Sequence, residues 1–108
     1  MQYEMRTYLV PQGRMDDILA RFRDVTMGLF KKYDMECLGF WTITEPEEDY
    51  ALVYLMRYET AEAQAKAWDA FRADPEWLAT RERTEANGPI VEQVISKDMQ
   101  PVDFSPMQ

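Results

Sequence analysis

Two stretches of this chain are apolar at nearly every position, and no other feature constrains the fold as much. Residues 36–44 read ECLGFWTIT and residues 50–59 read YALVYLMRYE. Their β-branched and aromatic side chains favour strands, and a charged turn over residues 45–49 joins them into a predicted hairpin. A strand that alternates apolar and polar residues needs cover on one face, whereas these two strands need it on both.

The rest of the chain supplies two more strands and the helices. Strands are predicted over residues 2–10, 36–44, 50–59 and 90–99, and helices over residues 14–33, 61–73 and 75–86. This order of elements predicts an α+β fold, the ferredoxin-like βαββαβ sandwich, in which helices cover one face of a four-stranded antiparallel sheet. The domain is predicted over residues 1–99, and residues 100–108 are predicted to form an extended C-terminal tail.

The opposite, helix-free face of such a sheet would be bare in a monomer. Phe40 or Trp41, Tyr54 or Leu55, and Met56 are expected on it, and soluble monomers rarely expose an apolar patch of that size. Pairing two such faces would bury about 1,600 Å² in total, the size of a standard interface. We therefore predict a homodimer that closes into an α/β barrel. The alternative is a monomer whose C-terminal tail covers this face.

Composition argues against several classes of partner and cofactor. The net charge is −8, which disfavours nucleic acid, and no helix pairs a basic with an apolar face as membrane-surface helices do. The sequence has no histidine, which excludes histidine-ligated metal or haem. We predict no metal site and no cofactor.

The single cysteine bears on the cellular compartment. Cys37 cannot form an internal disulfide, and a strand pattern begins at Gln2 without a leader before it. Both features favour a reducing, cytoplasmic setting. Cys37 itself is interpreted as a packed strand residue, since no basic neighbour in sequence would activate its thiol.

Several segments, in matching order over residues 3–96, resemble the NIPSNAP family of the dimeric α/β-barrel superfamily. They are YEMRTYLVPQGRMDDILARF, LFKKYDMECLGFWT, ALVYLMRYET and ADPEWLATR, with the motifs Glu4-x-Arg6-x-Tyr8, Gly39-Phe40-Trp41 and Asp74-Pro75-Glu76-Trp77. The resemblance implies a dimer whose two sheets face each other around a cavity. The family's biochemical role is largely undefined, and its superfamily includes cofactor-free monooxygenases, haem-dependent enzymes and small dehydratases. Where family members often carry histidine on the third strand, this chain has Tyr54.

Three side chains of the first strand are candidates for catalysis. Glu4, Arg6 and Tyr8 share one strand face at steps of about 7 Å, and in a cavity they would bring a carboxylate, a guanidinium and a phenol together. Arg6 would hold a carboxylate or enolate, and Tyr8 would donate a proton or hydrogen bond. Burial would raise the pKa of Glu4, as suits a general base, whereas Arg6 would lower it. The alternative is an ion pair and a tyrosine that only satisfy each other.

The third strand contributes a second candidate face. Tyr54, Met56 and Tyr58 lie on it, and the hairpin register decides which residue of the preceding strand joins them. A four-residue turn pairs Trp41 with Tyr54, whereas a five-residue turn pairs Phe40 with Tyr54, and we favour Trp41. The predicted ligand-binding set is Arg6, Tyr8, Trp41, Tyr54, Met56 and Tyr58. The alternative is ordinary core or interface packing.

Two functions follow from these residues and the resemblance. The first is a dimeric barrel that binds a small organic molecule in a cavity between the sheets, as a cofactor-independent monooxygenase-like or isomerase-like enzyme. The second is a non-enzymatic interaction module whose barrel interior is only dimer core. The residues leave both open.

Overall fold

The structure, a computed structural model, describes residues 1–46 and 50–108, so the turn predicted over residues 45–49 lies mostly outside the described residues. The strands are β1 (Gln2–Leu9), β2 (Glu36–Thr42), β3 (Ala51–Tyr58) and β4 (Gln93–Met99). The helices are α1 (Met15–Arg21), α2 (Met27–Lys32), α3 (Ala61–Ala73) and α4 (Pro75–Thr84), and a π-helical turn (Phe22–Thr26) joins α1 to α2. No helix within the described residues is long and apolar enough to span a bilayer.

The four strands form one sheet in the order β2-β3-β1-β4, and every neighbouring pair is antiparallel. This arrangement confirms the predicted α+β, ferredoxin-like fold. From Glu4 in β1 and from Leu52 in β3, even-numbered residues are buried and odd-numbered residues are half-buried. The period-two pattern therefore separates a helix-covered face from a helix-free face.

The helix-covered face is the one that carries the candidate residues. We expected Glu4, Arg6 and Tyr8 to line a cavity on the helix-free face, and this expectation is wrong. All three are buried, and the indole Nε1 of Trp68 in α3 donates a hydrogen bond to Glu4 at 2.9 Å. Alternation shows that these residues share a face, but it does not show which face the helices cover.

The hairpin register of β2 and β3 decides the position of the aromatic pair in β2. Phe40 lies opposite Tyr54, with ring centroids 4.9 Å apart, and Trp41 lies opposite Val53. Trp41 points to the helix-free face and is 52% exposed, so the prediction that it shares a face with Tyr54 is wrong. The observed pairing is the one expected for a five-residue turn, and a shift of one residue exchanges the two faces. The bulge between Cys37 and Gly39 lies on the far side of this pair from the turn and does not affect it.

The helix predicted over residues 14–33 has the expected position but is not regular throughout. A π-helical turn carries more residues than an α-helical turn and so shifts the face that the next residues present. Phe22 begins this turn and lies 5.5, 5.1 and 5.2 Å from the rings of Tyr8, Phe40 and Tyr54, respectively. The π-helical turn thus places an aromatic ring directly over the centre of the sheet.

Residues 100–108 turn back on the sheet, although an extended tail was predicted. The hydroxyl of Tyr3 donates a hydrogen bond to the carbonyl oxygen of Gln108 at 2.7 Å. The tail and the helix-free face enclose a shallow groove lined in part by Tyr3, Leu55 and Met99. The tail covers only part of this face, because Trp41 remains exposed.

Asp74 connects the C-terminal end of α2 to the start of α4 through hydrogen bonds. Its Oδ1 accepts a hydrogen bond from the backbone N–H of Glu76 at 2.8 Å, as an N-cap does. Its Oδ2 accepts from the ammonium group of Lys32 at 2.7 Å and from the hydroxyl of Tyr33. The hydrogen bond from Lys32, followed by that from Tyr33, lowers the pKa of Asp74 to about 2.

Asp74→Asn should reduce the acid sensitivity of the fold. Because the folded-state pKa is depressed, the stabilisation from Asp74 is complete above its unfolded pKa of about 3.9 and is lost as the pH falls towards the folded value. In the variant we expect a smaller decrease in the free energy of unfolding across this window, measured by urea denaturation. Asp69→Asn, at an exposed position of α3, should keep the wild-type pH dependence. Identical pH profiles for all three proteins would contradict the assignment.

Candidate ligand-binding site

A buried carboxylate on β1 organises the polar part of the core. Glu4 is 2% exposed. Its Oε1 accepts hydrogen bonds from the Tyr58 hydroxyl at 2.8 Å and from Trp68 Nε1 at 2.9 Å. Its Oε2 accepts from Arg6 Nη1 at 2.9 Å and from the Ser96 hydroxyl at 2.6 Å. Each oxygen therefore has two donors, which fills its lone-pair positions.

This environment decides the charge of Glu4. Burial by itself would raise the pKa of the carboxyl, but the hydrogen bonds from Ser96 and the other three donors outweigh burial and lower it. The sequence suggested that burial would raise the pKa of Glu4 and that Arg6 would lower it. In the structure the lowering effect is the larger one. Glu4 is thus a structural anion near neutral pH and is not suited to act as a general base.

Arg6 links this carboxylate to two tyrosines. Its Nε donates to the hydroxyl of Tyr54 at 2.7 Å, and its Nη2 donates to the hydroxyl of Tyr8 at 3.3 Å. The two hydroxyl groups are themselves 2.9 Å apart, and the guanidinium lies 4.3 Å from the ring centroid of Trp68. Although burial opposes its charge, the contacts with Tyr54, Tyr8 and Glu4 raise the pKa of Arg6.

Two of the buried tyrosines, Tyr54 and Tyr58, have raised pKa values and remain protonated. Burial, followed by the proximity of Tyr8, raises the pKa of Tyr54 well above its ordinary value. Burial and the carboxylate of Glu4 raise the pKa of Tyr58 in the same way. Met56 is fully buried on this face and belongs to the apolar cluster around these rings. The structure thus brings together every predicted site residue except Trp41.

A cleft between the helices and the edge of the sheet leads to this network. It has a volume of about 320 Å³ and opens between α4 and β4. We call it the Arg6 cleft, and it is lined by Arg6, Tyr8, Arg21, Arg72, Trp77, Arg81, Glu85, Val91, Glu92, Gln93 and Val94. Its volume falls at the lower end of the range of small-molecule sites, about 300–1,000 Å³.

Most residues of this cleft were not predicted from the sequence. Arg21, Arg72 and Arg81 come from three different helices and converge only when α4 packs against α1 and α3. One signal was present in the sequence, because Trp77, Arg81 and Glu85 follow one another at intervals of four and so share one side of α4 and its C-terminal cap. Within residues 1–46 and 50–108, no group of carboxylates and the cysteine is arranged to hold a metal ion.

Comparison with known proteins identifies relatives along nearly the whole chain. The NIPSNAP family model matches residues 3–106. An uncharacterised NIPSNAP domain protein from Burkholderia xenovorans is 27% identical, with 98% of this chain and 99% of that chain covered and a TM-score of 0.84. A NIPSNAP family protein of unknown function from Agrobacterium tumefaciens is 25% identical, with 100% and 94% covered and a TM-score of 0.85.

A more distant likeness connects the fold to an enzyme. SnoaB, a cofactor-independent oxygenase from Streptomyces nogalater, is 13% identical and has a TM-score of 0.60, with 97% of this chain and 96% of that chain covered. At this identity the likeness concerns the fold alone. The chain has no significant match among curated proteins.

Glu4→Gln should destabilise the fold strongly. The substitution leaves Arg6 buried without its counter-charge, and breaking a buried ion pair costs about 3–5 kcal/mol. We expect a decrease of about 3 kcal/mol in the free energy of unfolding, measured by urea denaturation. Glu36→Gln is the matched control, because Glu36 pairs with Arg57 at 2.6 Å on the exposed face and should lose less than about 1 kcal/mol. Equal losses in the two variants would contradict the central role of Glu4.

Proposed function

This chain belongs to the NIPSNAP family, and on that premise we propose that it binds a small organic molecule in the Arg6 cleft. The observation that carries the proposal is that Arg6 and Tyr8 form part of the cleft wall while both belong to the buried network. Groups held in place by such a network are preorganised to meet a ligand. The ligand would lie between the helices and the sheet of a single protomer.

The chemistry that this cleft supports is stabilisation of an enolate or phenolate oxygen. The guanidinium of Arg6 is a fixed hydrogen-bond donor, as such an anion requires. The hydroxyl of Tyr8 accepts from Arg6 Nη2, and it keeps its own proton for the anion when the Tyr54 hydroxyl donates to it. Since Glu4 does not suit a general base, a substrate would have to be acidic enough to ionise within this field. The fold likeness to a cofactor-independent oxygenase supports a reaction that needs no added cofactor.

Filling the cleft should abolish binding of a planar probe. We expect 2-naphthol to bind the wild-type protein and to shift the NMR resonance of the Trp77 indole N–H, because Trp77 lines the cleft. Val94→Trp should prevent this binding, since Val94 is an exposed residue of the same cleft. Leu78→Trp is the control, at an exposed α4 position outside the cleft, and should bind normally.

The second candidate function is a non-enzymatic interaction module. It is favoured by the saturation of the polar network, in which Glu4, Arg6 and both tyrosines satisfy one another. In that case the cleft would be a by-product of packing. Failure of 2-naphthol to bind the wild-type protein, or equal binding by Val94→Trp, would favour this function over ligand binding.

We also propose that the protein is a homodimer that associates through the helix-free face. Trp41 is 52% exposed there, and Val53 and Leu55 beside it are only half-buried. Val102, Phe104 and Met107 of the tail add exposed apolar surface. Burial of this surface against a second copy would contribute roughly 25 cal/mol per Å² of apolar area.

Trp41→Asp should convert the dimer into a monomer. A carboxylate buried in an apolar interface would lose its hydration without gaining a partner. We expect sedimentation to report twice the 12.8 kDa chain mass for the wild-type protein and the single chain mass for the variant. Leu78→Asp changes a similarly exposed residue, on α4, and should leave the dimer intact. A wild-type protein that sediments as a single chain would refute the proposal.

A reducing, cytoplasmic setting is part of the same proposal. Cys37 is half-buried in β2, and burial raises the pKa of its thiol. Its Sγ lies 3.8 Å from the carbonyl oxygen of Gly39, as expected for a packed and unreactive side chain. A free thiol of this kind is typical of proteins kept in a reducing compartment.

A further inference from the structure

The Arg6 cleft is positively charged, although the chain carries a net charge of −8. Four of its eight arginines line the cleft, namely Arg6, Arg21, Arg72 and Arg81. Glu4 neutralises Arg6 from beneath the cleft wall, and Glu85 offsets Arg21 at 3.5 Å. Arg72 and Arg81 then face one further carboxylate, Glu92. The cleft therefore has an excess of one positive charge, which a singly charged anion would balance.

One buried hydrogen-bond donor of the cleft, on Arg21, has no acceptor within the described residues. Its side chain is 5% exposed, and its Nη1 donates to the hydroxyl of Thr84 at 3.2 Å and to Glu85 at 3.5 Å. Its Nε is buried and has no hydrogen-bond partner in the described part of the chain. A buried donor without an acceptor is unfavourable, so the described residues do not fully pair this guanidinium, which also lines the cleft.

Trp77 supplies an apolar and planar surface in the same place. The guanidinium of Arg21 lies 4.9 Å from the centroid of its ring. Arg81 follows Trp77 after four residues, so the two side chains are neighbours along α4. Val91 and Val94 add apolar lining on the β4 side. A charged group and a flat apolar body could therefore be held at the same time.

From this arrangement we infer that the Arg6 cleft selects planar organic acids with a single carboxylate, a substrate class that rests on the proposed binding function. Guanidinium groups bind carboxylates through two parallel hydrogen bonds, which fixes both charge and orientation. The ring system of the acid would pack against Trp77 and the two valines. A doubly charged phosphate would exceed the available positive charge and would leave the apolar lining uncovered.

The experiment compares two probes of the same shape that differ in charge. We expect 2-naphthoate to bind the full chain at least about tenfold more tightly than neutral 2-naphthamide, a difference of about 1.4 kcal/mol, as followed by the Trp77 indole resonance. Arg81→Met should remove this preference, because it should weaken the binding of 2-naphthoate much more than that of 2-naphthamide. Arg83→Met, an exposed arginine of α4 outside the cleft, is the matched control and should keep the wild-type preference.

The outcomes separate the two proposals. Equal binding of 2-naphthoate and 2-naphthamide would overturn the selectivity for acids, while the binding function would stand. A preference that survives Arg81→Met, or one that is lost in Arg83→Met, would also overturn it. Tight binding of inorganic phosphate with no response to 2-naphthoate would overturn the organic-acid class. Absence of binding by 2-naphthol, 2-naphthoate and 2-naphthamide alike would refute the proposed function itself.

Discussion

The ion pair between Glu4 and Arg6 is the interaction on which the rest of the structure depends. Two charges placed beneath the helices are tolerated only because every nearby donor is directed at them. Those donors come from β3, β4 and α3, so the pair joins three elements that are distant in sequence. The order β2-β3-β1-β4 makes this possible, since β1 lies at the centre with a neighbour on each side.

The same pair connects the stability of the fold with the proposed ligand binding. Because Glu4 holds Arg6, and Arg6 holds the hydroxyls of Tyr8 and Tyr54, the part of the network that reaches the cleft is rigid. The arginines of the outer wall are different, since Arg72 and Arg81 lie on exposed helix positions. The cleft therefore combines a fixed inner end with an adaptable outer end. A family that keeps the inner end could accommodate different molecules by changing the outer one.

The fold was predictable from the sequence, whereas the site was predictable only in part. Period-two alternation and the order of elements were sufficient for the ferredoxin-like sheet, and the shared face of Glu4, Arg6 and Tyr8 followed from the same rule. Which face of the sheet the helices cover was not predictable. Charged residues such as Glu4 and Arg6 are normally expected on the protein surface, and the groups that pair with Glu4 lie far away in sequence. The sequence left two hairpin registers open that differ by one residue, and the one we favoured assigned Trp41 to the wrong face. No sequence pattern indicated that Arg21 and Arg72 lie in the same cleft, since only the packing of the helices brings them close together.

Adjacent residues of β1 serve separate purposes, because their side chains point to opposite sides of one sheet. The even positions carry the ion pair and reach the cleft, whereas Met5, Thr7 and Leu9 point to the face proposed to meet a second copy. The proposed self-association and the proposed ligand binding can consequently change independently in evolution. A library that randomises only odd positions of this strand would alter the proposed interface and leave the buried network in place, whereas randomising the even positions would break the ion pair that supports the fold.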